Sequence, residues 1–282
     1  MSFVRYCGAL LTCATLATHA QPAPGAAVAD FKIPEFQAQY ALYQNGELLG
    51  TSEISLKKTG NGYRFSTKSQ SEGGMASLVG GASITEYSDF KPSAQQLQSL
   101  SYQYEQRISF KKRKREIEFD WRKSLAREDD GKDVTSYLLQ PGAIDRHLVV
   151  LALAQDLSRS AAPLLSTAAV PVALVNATTD KAPTALPAVR SFSHLVAYKG
   201  TVEAWQFRST GTERVTTDMG VIQAEKIERV RSGASSGRST TSWHAPRYNY
   251  LPIRILQREP DGETLEMRLK SISITPKAIS HR

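Results

Sequence analysis

Cysteine is almost absent from this 282-residue sequence, and both copies, Cys7 and Cys13, lie among the first twenty residues. Loss of that segment would leave a chain without a thiol, a disulfide or a cysteine metal ligand. A chain of this length can build a sufficient core without them. Hydrophobic residues make up 41% of the chain and charged residues 22%. This balance excludes a collagen-like repeat, a disordered polyelectrolyte and a protein with several membrane spans.

The first twenty positions have the pattern of an export signal. Arg5 supplies the positive charge, and residues 6–17 form an uncharged stretch rich in alanine and leucine. Thr18 and Ala20 are the small residues that precede a cleavage site. We therefore predict a periplasmic protein whose signal peptide is removed after Ala20. The alternative is lipid attachment at Cys13, which would leave a very short hydrophobic run.

Basic residues outnumber acidic residues, 35 to 27, for a net charge of +8. Cleavage after Ala20 would remove Arg5 and no acidic residue, which leaves 34 basic residues, 27 acidic residues and a net charge of +7. Residues 21–35 predict a flexible Pro/Ala-rich leader, residues 36–275 a single β-rich domain, and residues 276–282 a tail. For an exported protein, the basic excess favours contact with the anionic envelope over nucleic acid.

Three turn dipeptides, at residues 45–46, 61–62 and 261–262, each separate two stretches with the composition of strands. These Asn-Gly and Asp-Gly pairs tolerate the positive φ angles of tight hairpin turns. The flanking stretches alternate apolar and polar residues, as strands with one buried face do. The pattern predicts a mainly β fold. It consists of one large curved antiparallel sheet, an open half-barrel or barrel-like, with one buried helix packed on it.

Two breaks in the alternation predict irregular pairing. Apolar residues occupy even positions up to Phe110 and odd positions from Ile117, so we expect a bulge or tight turn within residues 111–115. A second change of parity, between Leu269 and Ile272, predicts another bulge. In residues 221–230 the apolar side chains are three apart, as in a helix, but turn-like sequences on both sides favour a strand.

One helix is predicted over residues 143–160, with Asp145 as its cap. The segment LVVLALA within it is apolar on nearly every side, so the helix should be buried against the sheet. Residues 161–189 are rich in alanine and proline and almost uncharged. They predict an irregular crossover that could hold one short strand at 172–175.

No motif in the chain carries a catalytic, metal or cofactor signature. The G-x-S-x-G match at 233–237 is followed by strand-like sequence, which favours a hairpin loop over a nucleophile elbow. The acidic run at 128–130 precedes a glycine, as a solvated turn does. No histidine beyond residue 20 has a partner at metal-ligand spacing: His147, His194, His244 and His281. We predict no catalytic residue, no metal and no cofactor.

Two segments are candidates for binding. The first is a basic run, typical of a solvated turn or protected strand edge and, alternatively, of contact with lipid phosphates. It consists of Lys111, Lys112, Arg113, Lys114 and Arg115. The second lies in the glycine-flanked stretch 71–81 and forms either a loop tucked under the sheet or a mobile apolar flap over a cavity. Its apolar residues are Met75, Leu78 and Val79.

Four segments resemble a family of exported bacterial proteins, the domain of unknown function 3108: GELLGTSEISL, FDW, GTERVTTDMGVIQAEKI and SWHAPRYNYLPIRI. The resemblance extends over most of the chain beyond the leader and carries no catalytic signature. The last of these segments has a strand with a tryptophan, then a short turn, then Leu-Pro-Ile-Arg. This pattern also looks like that of outer-membrane lipoprotein carriers. That resemblance implies an open β half-barrel with helices over its concave face.

Three functions are open on the sequence alone. The favoured one is a non-enzymatic periplasmic protein that binds a hydrophobic envelope component, which is a lipid, an acyl chain or a lipidated protein. The second is an envelope structural or interaction protein that docks to another protein through strand edges or the basic turn. The third, an envelope hydrolase, lacks a nucleophile–base constellation. Contact with a membrane would be peripheral, and no nucleic acid partner is expected.

Overall fold

A computed structural model describes residue 31 and residues 33–72, 81–92, 96–160, 190–231 and 237–275. Several sequence predictions concern segments outside these ranges. They are the signal peptide, most of the leader, the apolar residues Met75, Leu78 and Val79, the 161–189 crossover, most of the G-x-S-x-G match and the 276–282 tail.

The described ranges contain fifteen strands and one α-helix. The strands are β1 Phe36–Gln44, β2 Glu47–Thr59, β3 Gly62–Ser71, β4 Ala82–Pro92, β5 Leu97–Ile108, β6 Lys111–Asp120, β7 Leu125–Asp129, β8 Val134–Leu138, β9 Ile144–Asp145, β10 Ser191–Tyr198, β11 Thr201–Thr217, β12 Gly220–Val230, β13 Ser239–Ala245, β14 Leu251–Arg258 and β15 Thr264–Ile274. The helix, α1, is Val149–Ser160, and a short 3₁₀ helix, Pro246–Tyr248, precedes β14.

All fifteen strands belong to one sheet, in the order β8-β7-β6-β5-β4-β3-β2-β1-β15-β14-β13-β12-β11-β10-β9. Neighbours are antiparallel except for β9 and β10, which are parallel. β1 and β15 pair in the interior of the sheet and join two runs of consecutive strands. The sheet is open, because its end strands, β8 and β9, are not paired with each other. The predicted mainly β fold with one antiparallel sheet is confirmed.

All three predicted turns connect consecutive strands, but only the first lies at the predicted residues. Asn45 and Gly46 form the two-residue turn between β1 and β2, with φ angles of 52° and 86°, as a type I′ turn requires. The next turn lies at residues 60–61, one residue earlier than predicted, because Gly62 already belongs to β3. The third connection is a longer loop, residues 259–263, whose glycine has a φ of 92°.

The change of parity between β5 and β6 needs no bulge. Ser109 and Phe110 alone form the turn, and the strands pair without a register shift from Ile108 opposite Lys111 onward. Across a two-residue turn, the residue numbers of two paired positions add up to an odd number. Residues on one face of the hairpin therefore have even numbers in one strand and odd numbers in the other. The bulge predicted within residues 111–115 is therefore wrong, and these residues lie in a regular strand instead of a turn.

The predicted bulge near the C-terminal end is confirmed. β1 and β15 change register beside Tyr40, which pairs with Leu269, and Lys270 is the extra residue. Because a bulge shifts the alternation by one position, Leu269 and Ile272 lie on the same face of the sheet.

Residues 221–230 form a strand, β12, as predicted. The three-residue spacing of their apolar side chains has a local cause, since β11 changes register against β12 between Ser209 and Thr212. Ala224 and Ile227 are buried on either side of this irregularity, whereas the outer members of the series are exposed.

The helix packs on the sheet with its apolar residues buried, as its all-round apolar sequence predicted. It begins at Val149, later than the predicted residue 143, because β9 and a turn over residues 146–148 come first. Leu151, Ala154 and Leu157 of α1 have no solvent exposure. Within the described ranges, no helix is long and apolar enough to cross a membrane.

Candidate functional site

Side chains fill the space between α1 and the sheet. Phe65, Phe90 and Leu151 are buried in one continuous core there. A cavity beside the helix, lined among others by Asp156 and His194, has a volume of about 20 Å³. This is enough for a water molecule and far too small for an acyl chain.

A buried polar cluster lies where β9 leads into α1. Asp145 Oδ1 accepts hydrogen bonds from Ser88 Oγ at 2.8 Å and from the backbone N–H groups of His147 and Leu148 at 3.0 and 3.1 Å. Its Oδ2 accepts from Ser99 Oγ at 2.8 Å. Asp145 therefore caps the turn that leads into the helix, instead of the helix itself as the sequence predicted, and also ties this turn to β4 and β5.

His147 extends this cluster. Its Nδ1 lies 3.0 Å from Ser88 Oγ and its Nε2 lies 2.8 Å from Thr67 Oγ1. Because Ser88 donates its only hydrogen to Asp145, His147 Nδ1–H donates to Ser88 and Nε2 accepts from Thr67. Burial lowers the pKa of His147 to about 4. Burial also raises the pKa of Asp145 to about 6, although hydrogen bonds from the two serines oppose this shift.

These residues do not have the arrangement of a catalytic triad. In a triad the imidazole stands between the serine and the carboxylate. Here Ser88 stands between His147 and Asp145, and its side chain has no solvent exposure. Among the residues that the structure describes, no group of three His, Cys, Asp or Glu could hold a metal ion. The cluster fastens α1 to the sheet.

Arg146 makes one contact between the two ends of the sheet. It follows β9, and its Nε donates to Tyr102 Oη on β5 at 2.8 Å. The same arginine pairs with Glu86 on β4, which also accepts from Tyr102 Oη. Its guanidinium carbon lies 5.2 Å from the ring centroids of both Tyr104 and Tyr198. Tyr104 lies on β5 and Tyr198 on β10, so the two rings come from different halves of the sheet.

Glu128 makes a second contact between the ends. Its carboxylate accepts from Arg115 Nη1 at 2.6 Å and from the backbone N–H groups of Lys199 and Gly200 at 3.2 and 2.9 Å. The last two belong to the turn between β10 and β11, on the far half of the sheet. Only 4% of the Glu128 side chain is exposed. The prediction of a solvated turn is therefore wrong for Glu128, because it pairs with residues distant in sequence.

Replacing Glu128 by alanine is expected to lower the free energy of unfolding by about 2–4 kcal/mol. The change leaves the Arg115 guanidinium and two backbone N–H groups without their acceptor. Glu118→Ala, at an exposed position of the neighbouring strand, is the control and should change stability by no more than about 0.5 kcal/mol. Urea unfolding followed by tryptophan fluorescence measures both, and equal losses would contradict the role of Glu128.

The predicted basic site lies at the free end of the β5–β6 hairpin. Its first four residues, Lys111 to Lys114, are exposed on β6. Arg115 is not part of the exposed set, since it bonds Glu128 and its guanidinium carbon lies 5.0 Å from the Tyr198 ring centroid. Lys112 pairs with Glu105 at 3.0 Å. In the described part of the chain, the other three exposed residues make no salt bridge: Lys111, Arg113 and Lys114.

Sequence reasoning missed the apolar part of this hairpin. The alternation predicts that Ile108 and Phe110 share a face with Tyr102. Tyr102 is buried, whereas Phe110 is fully exposed, at 105%, and Ile108 is 43% exposed. The turn residues Ser109 and Phe110 precede the basic run directly, and this adjacency was the available signal.

The fold is similar to that of a β-barrel-like protein of known structure. A solved β-barrel-like protein of the domain of unknown function 1849 from Brucella abortus superposes with a TM-score of 0.52 at 10% identity. The match covers 89% of this chain and 100% of that one. A protein with a YmcC-like fold from Bacteroides fragilis matches 86% of this chain at 10% identity, 98% of its own length and a TM-score of 0.28. Of these two structures, the Brucella protein supports the likeness of fold.

The family follows from the sequence. Residues 39–270 match the family described as Protein of unknown function (DUF3108), and the chain belongs to this family. The family resemblance stated from the sequence segments is thereby confirmed. None of the curated proteins matches the sequence.

Proposed function

We propose that this protein is a non-enzymatic periplasmic protein that binds a hydrophobic component of the cell envelope. We further propose that this component is the surface of an anionic lipid bilayer. The observation that carries the proposal is a fully exposed aromatic side chain, Phe110, at the tip of a basic hairpin. Export of the chain rests on the signal-peptide pattern of residues 1–20.

The hairpin tip combines the two interactions that hold peripheral proteins on membranes. Burying the Phe110 side chain in the interface contributes about 2 kcal/mol. Each basic residue near an anionic surface contributes about 1 kcal/mol, and three of them are free of salt bridges in the described ranges. Together the two contributions amount to about 5 kcal/mol, which corresponds to weak, reversible attachment.

The packing between α1 and the sheet supports surface binding over carriage of a lipid inside the sheet. The apolar residues of α1 are buried against the sheet, and the cavity beside the helix is about 20 Å³. The non-enzymatic part of the proposal is supported by the buried position of Ser88, which is the only serine that bonds both His147 and Asp145 in the described ranges.

Phe110→Ser is expected to weaken binding to anionic vesicles roughly 10- to 30-fold. The measurement is cosedimentation of the chain from residue 21 with vesicles of phosphatidylglycerol and phosphatidylethanolamine. Leu138→Ser is the matched control, because Leu138 is 74% exposed on the edge strand β8, away from the basic hairpin. It should bind like the wild type.

Charge reversal of Lys111, Arg113 and Lys114 to glutamate should abolish the same binding, and higher salt should weaken that of the wild type. Vesicles of phosphatidylcholine, which carry no net charge, should bind little in every case. Wild-type binding that is equal on both vesicle types, or unchanged by Phe110→Ser, would contradict the proposal.

A second candidate function, docking to another envelope protein through a strand edge, is favoured by β8. This strand ends the sheet, and Val134 and Leu138 on it are both exposed. A partner that adds a strand there would bury both side chains. Leu138→Lys should then abolish capture of a partner from an envelope extract, while Phe110→Ser should not affect it.

A further inference from the structure

Three arginines gather at one end of β12 and β13, far along the sheet from the β5–β6 hairpin. Arg229 lies on β12, Arg231 directly follows this strand and Arg238 directly precedes β13. The Arg229 guanidinium carbon lies 3.4 Å from the ring centroid of Trp205 on β11. Trp205 packs against the core, and Phe207, which pairs with Arg229, is buried in it. This group therefore lies on the helix-covered face of the sheet, beside the apolar core.

The hydrogen bonds of these arginines are incomplete. Arg238 pairs with Glu259, with its Nε 2.7 Å from the carboxylate, and Arg231 donates a terminal N–H to Thr240 Oγ1 at 3.3 Å. Arg229 makes neither a hydrogen bond nor a salt bridge with any described residue. Among the described residues, the buried Nε atoms of Arg229 and Arg231 have no acceptor, although both side chains are only partly buried.

The electrostatics of the group is unfavourable without a negative charge. Burial and repulsion by Arg231 lower the pKa of Arg229 to about 10, although Glu203 opposes this shift. Burial and repulsion by Arg238 also lower the pKa of Arg231, against the attraction of Glu259. In the described ranges, the carboxylate that forms a salt bridge in this group is Glu259, and it bonds Arg238. An anion bound at the terminal nitrogens of Arg229 and Arg231 would neutralise this repulsion.

We infer that Arg229 and Arg231, with Trp205 as the floor, form a binding site for a phosphate-type oxyanion. A guanidinium stacked on an indole presents its N–H groups at its edge, in the fork geometry that fits two oxygens of a phosphate. The oxyanion belongs either to free phosphate or to a lipid with a terminal phosphate, and both use the same contacts. This site is separate from the hairpin of the proposed function and does not depend on it.

The test uses isothermal titration calorimetry on the chain from residue 21, with two probes. One probe is inorganic phosphate and the other is dihexanoyl phosphatidic acid, a soluble lipid phosphate. Arg229→Gln and Arg231→Gln should each weaken binding at least tenfold. The matched control is Arg208→Gln, which removes the same charge from an exposed arginine on β11 that pairs with Glu228, and it should bind like the wild type.

Binding of both probes with similar affinity identifies the phosphate group itself as the ligand, and binding of the lipid alone identifies a lipid phosphate. A wild type that binds neither probe overturns the inference, and so does equal weakening by Arg208→Gln.

Thermal unfolding without phosphate gives an independent readout. Arg229→Gln should melt at a higher temperature than the wild type, because it removes an unpaired, partly buried charge. A lower melting temperature together with unchanged phosphate binding would also overturn the inference. Vesicle binding by Arg229→Gln should equal that of the wild type, so that failure of this site and failure of the hairpin are distinguishable.

Discussion

Replacing Asp145 by alanine is expected to lower the free energy of unfolding by about 3–5 kcal/mol. The wild-type carboxylate is fully buried and accepts from two serine hydroxyls and two backbone N–H groups. Alanine leaves the hydroxyls of Ser88 and Ser99 without this acceptor. It also removes the cap before α1, which alone is worth about 1 kcal/mol. Urea unfolding at neutral pH measures the loss.

Two further variants define the cause of this loss. Asp145→Asn keeps one acceptor oxygen for the backbone N–H groups, so we expect less than half of the destabilisation caused by alanine. Asp218→Ala, at an exposed turn position, should change stability by no more than about 0.5 kcal/mol. If the alanine variant of Asp145 were as stable as that of Asp218, the cluster would not be what fastens the helix to the sheet.

Acidification from pH 6.5 to 4 is expected to destabilise the protein, chiefly through two buried histidines. His244 Nδ1–H donates to the Tyr250 carbonyl at 2.7 Å, so its Nε2 accepts from Ser242 Oγ at 2.9 Å. Burial lowers the pKa of His244 from 6.5 to about 4, as it does for His147. The unfolded chain therefore takes up these protons at a higher pH than the folded one.

The sign of each contribution follows from the direction of the pKa shift. Each histidine contributes stability above pH 6.5 that is lost on acidification, about 3 kcal/mol by pH 4. Asp145 acts in the opposite direction, because its folded-state pKa is raised to about 6. It gains back about 3 kcal/mol below that pH. Burial lowers the pKa of His194 and raises the pKa of Asp156. Their contributions to the pH dependence of stability therefore also oppose each other. For His147, His244 and Asp145 together, the net loss is about 3 kcal/mol.

His244→Gln is the informative variant for this pH dependence, because His244 lies outside the Asp145 cluster. Its free energy of unfolding should be lower than that of the wild type at pH 7, yet nearly constant between pH 7 and 4.5. Urea unfolding at several pH values measures both curves. A variant that loses as much stability on acidification as the wild type would show that His244 titrates normally in the folded state.

Local features of the fold could be predicted because their causes are local. The Asn45-Gly46 turn depends on two residues that tolerate positive φ, and the bulge at Lys270 follows from a change of parity in one strand. The helix follows from one apolar run. Its first residue could not be predicted, since Asp145 caps a turn and pairs in β9 instead of beginning the helix.

The candidate sites could not be predicted because they depend on which strands end side by side. Glu128 is buried by a turn about seventy positions further along the chain. Trp205 and Arg229 meet only because β11 and β12 pair in a particular register. The parity of Phe110 groups it with the other apolar residues of β5, but parity does not tell where a strand ends. The basic run itself was visible, although it lies in a strand and not in a turn.

The pairing of β1 with β15 has a consequence for the order of folding during synthesis. Residues 264–274 are made after the other fourteen described strands, yet they belong in the interior of the sheet beside residues 36–44. Until they are available, β1 and β14 each present an unpaired hydrogen-bonding edge that can associate with other chains. The protein therefore cannot complete its sheet until residues 264–274 have been made. Removal of residues 264–274 would separate the sheet into two halves instead of trimming one edge.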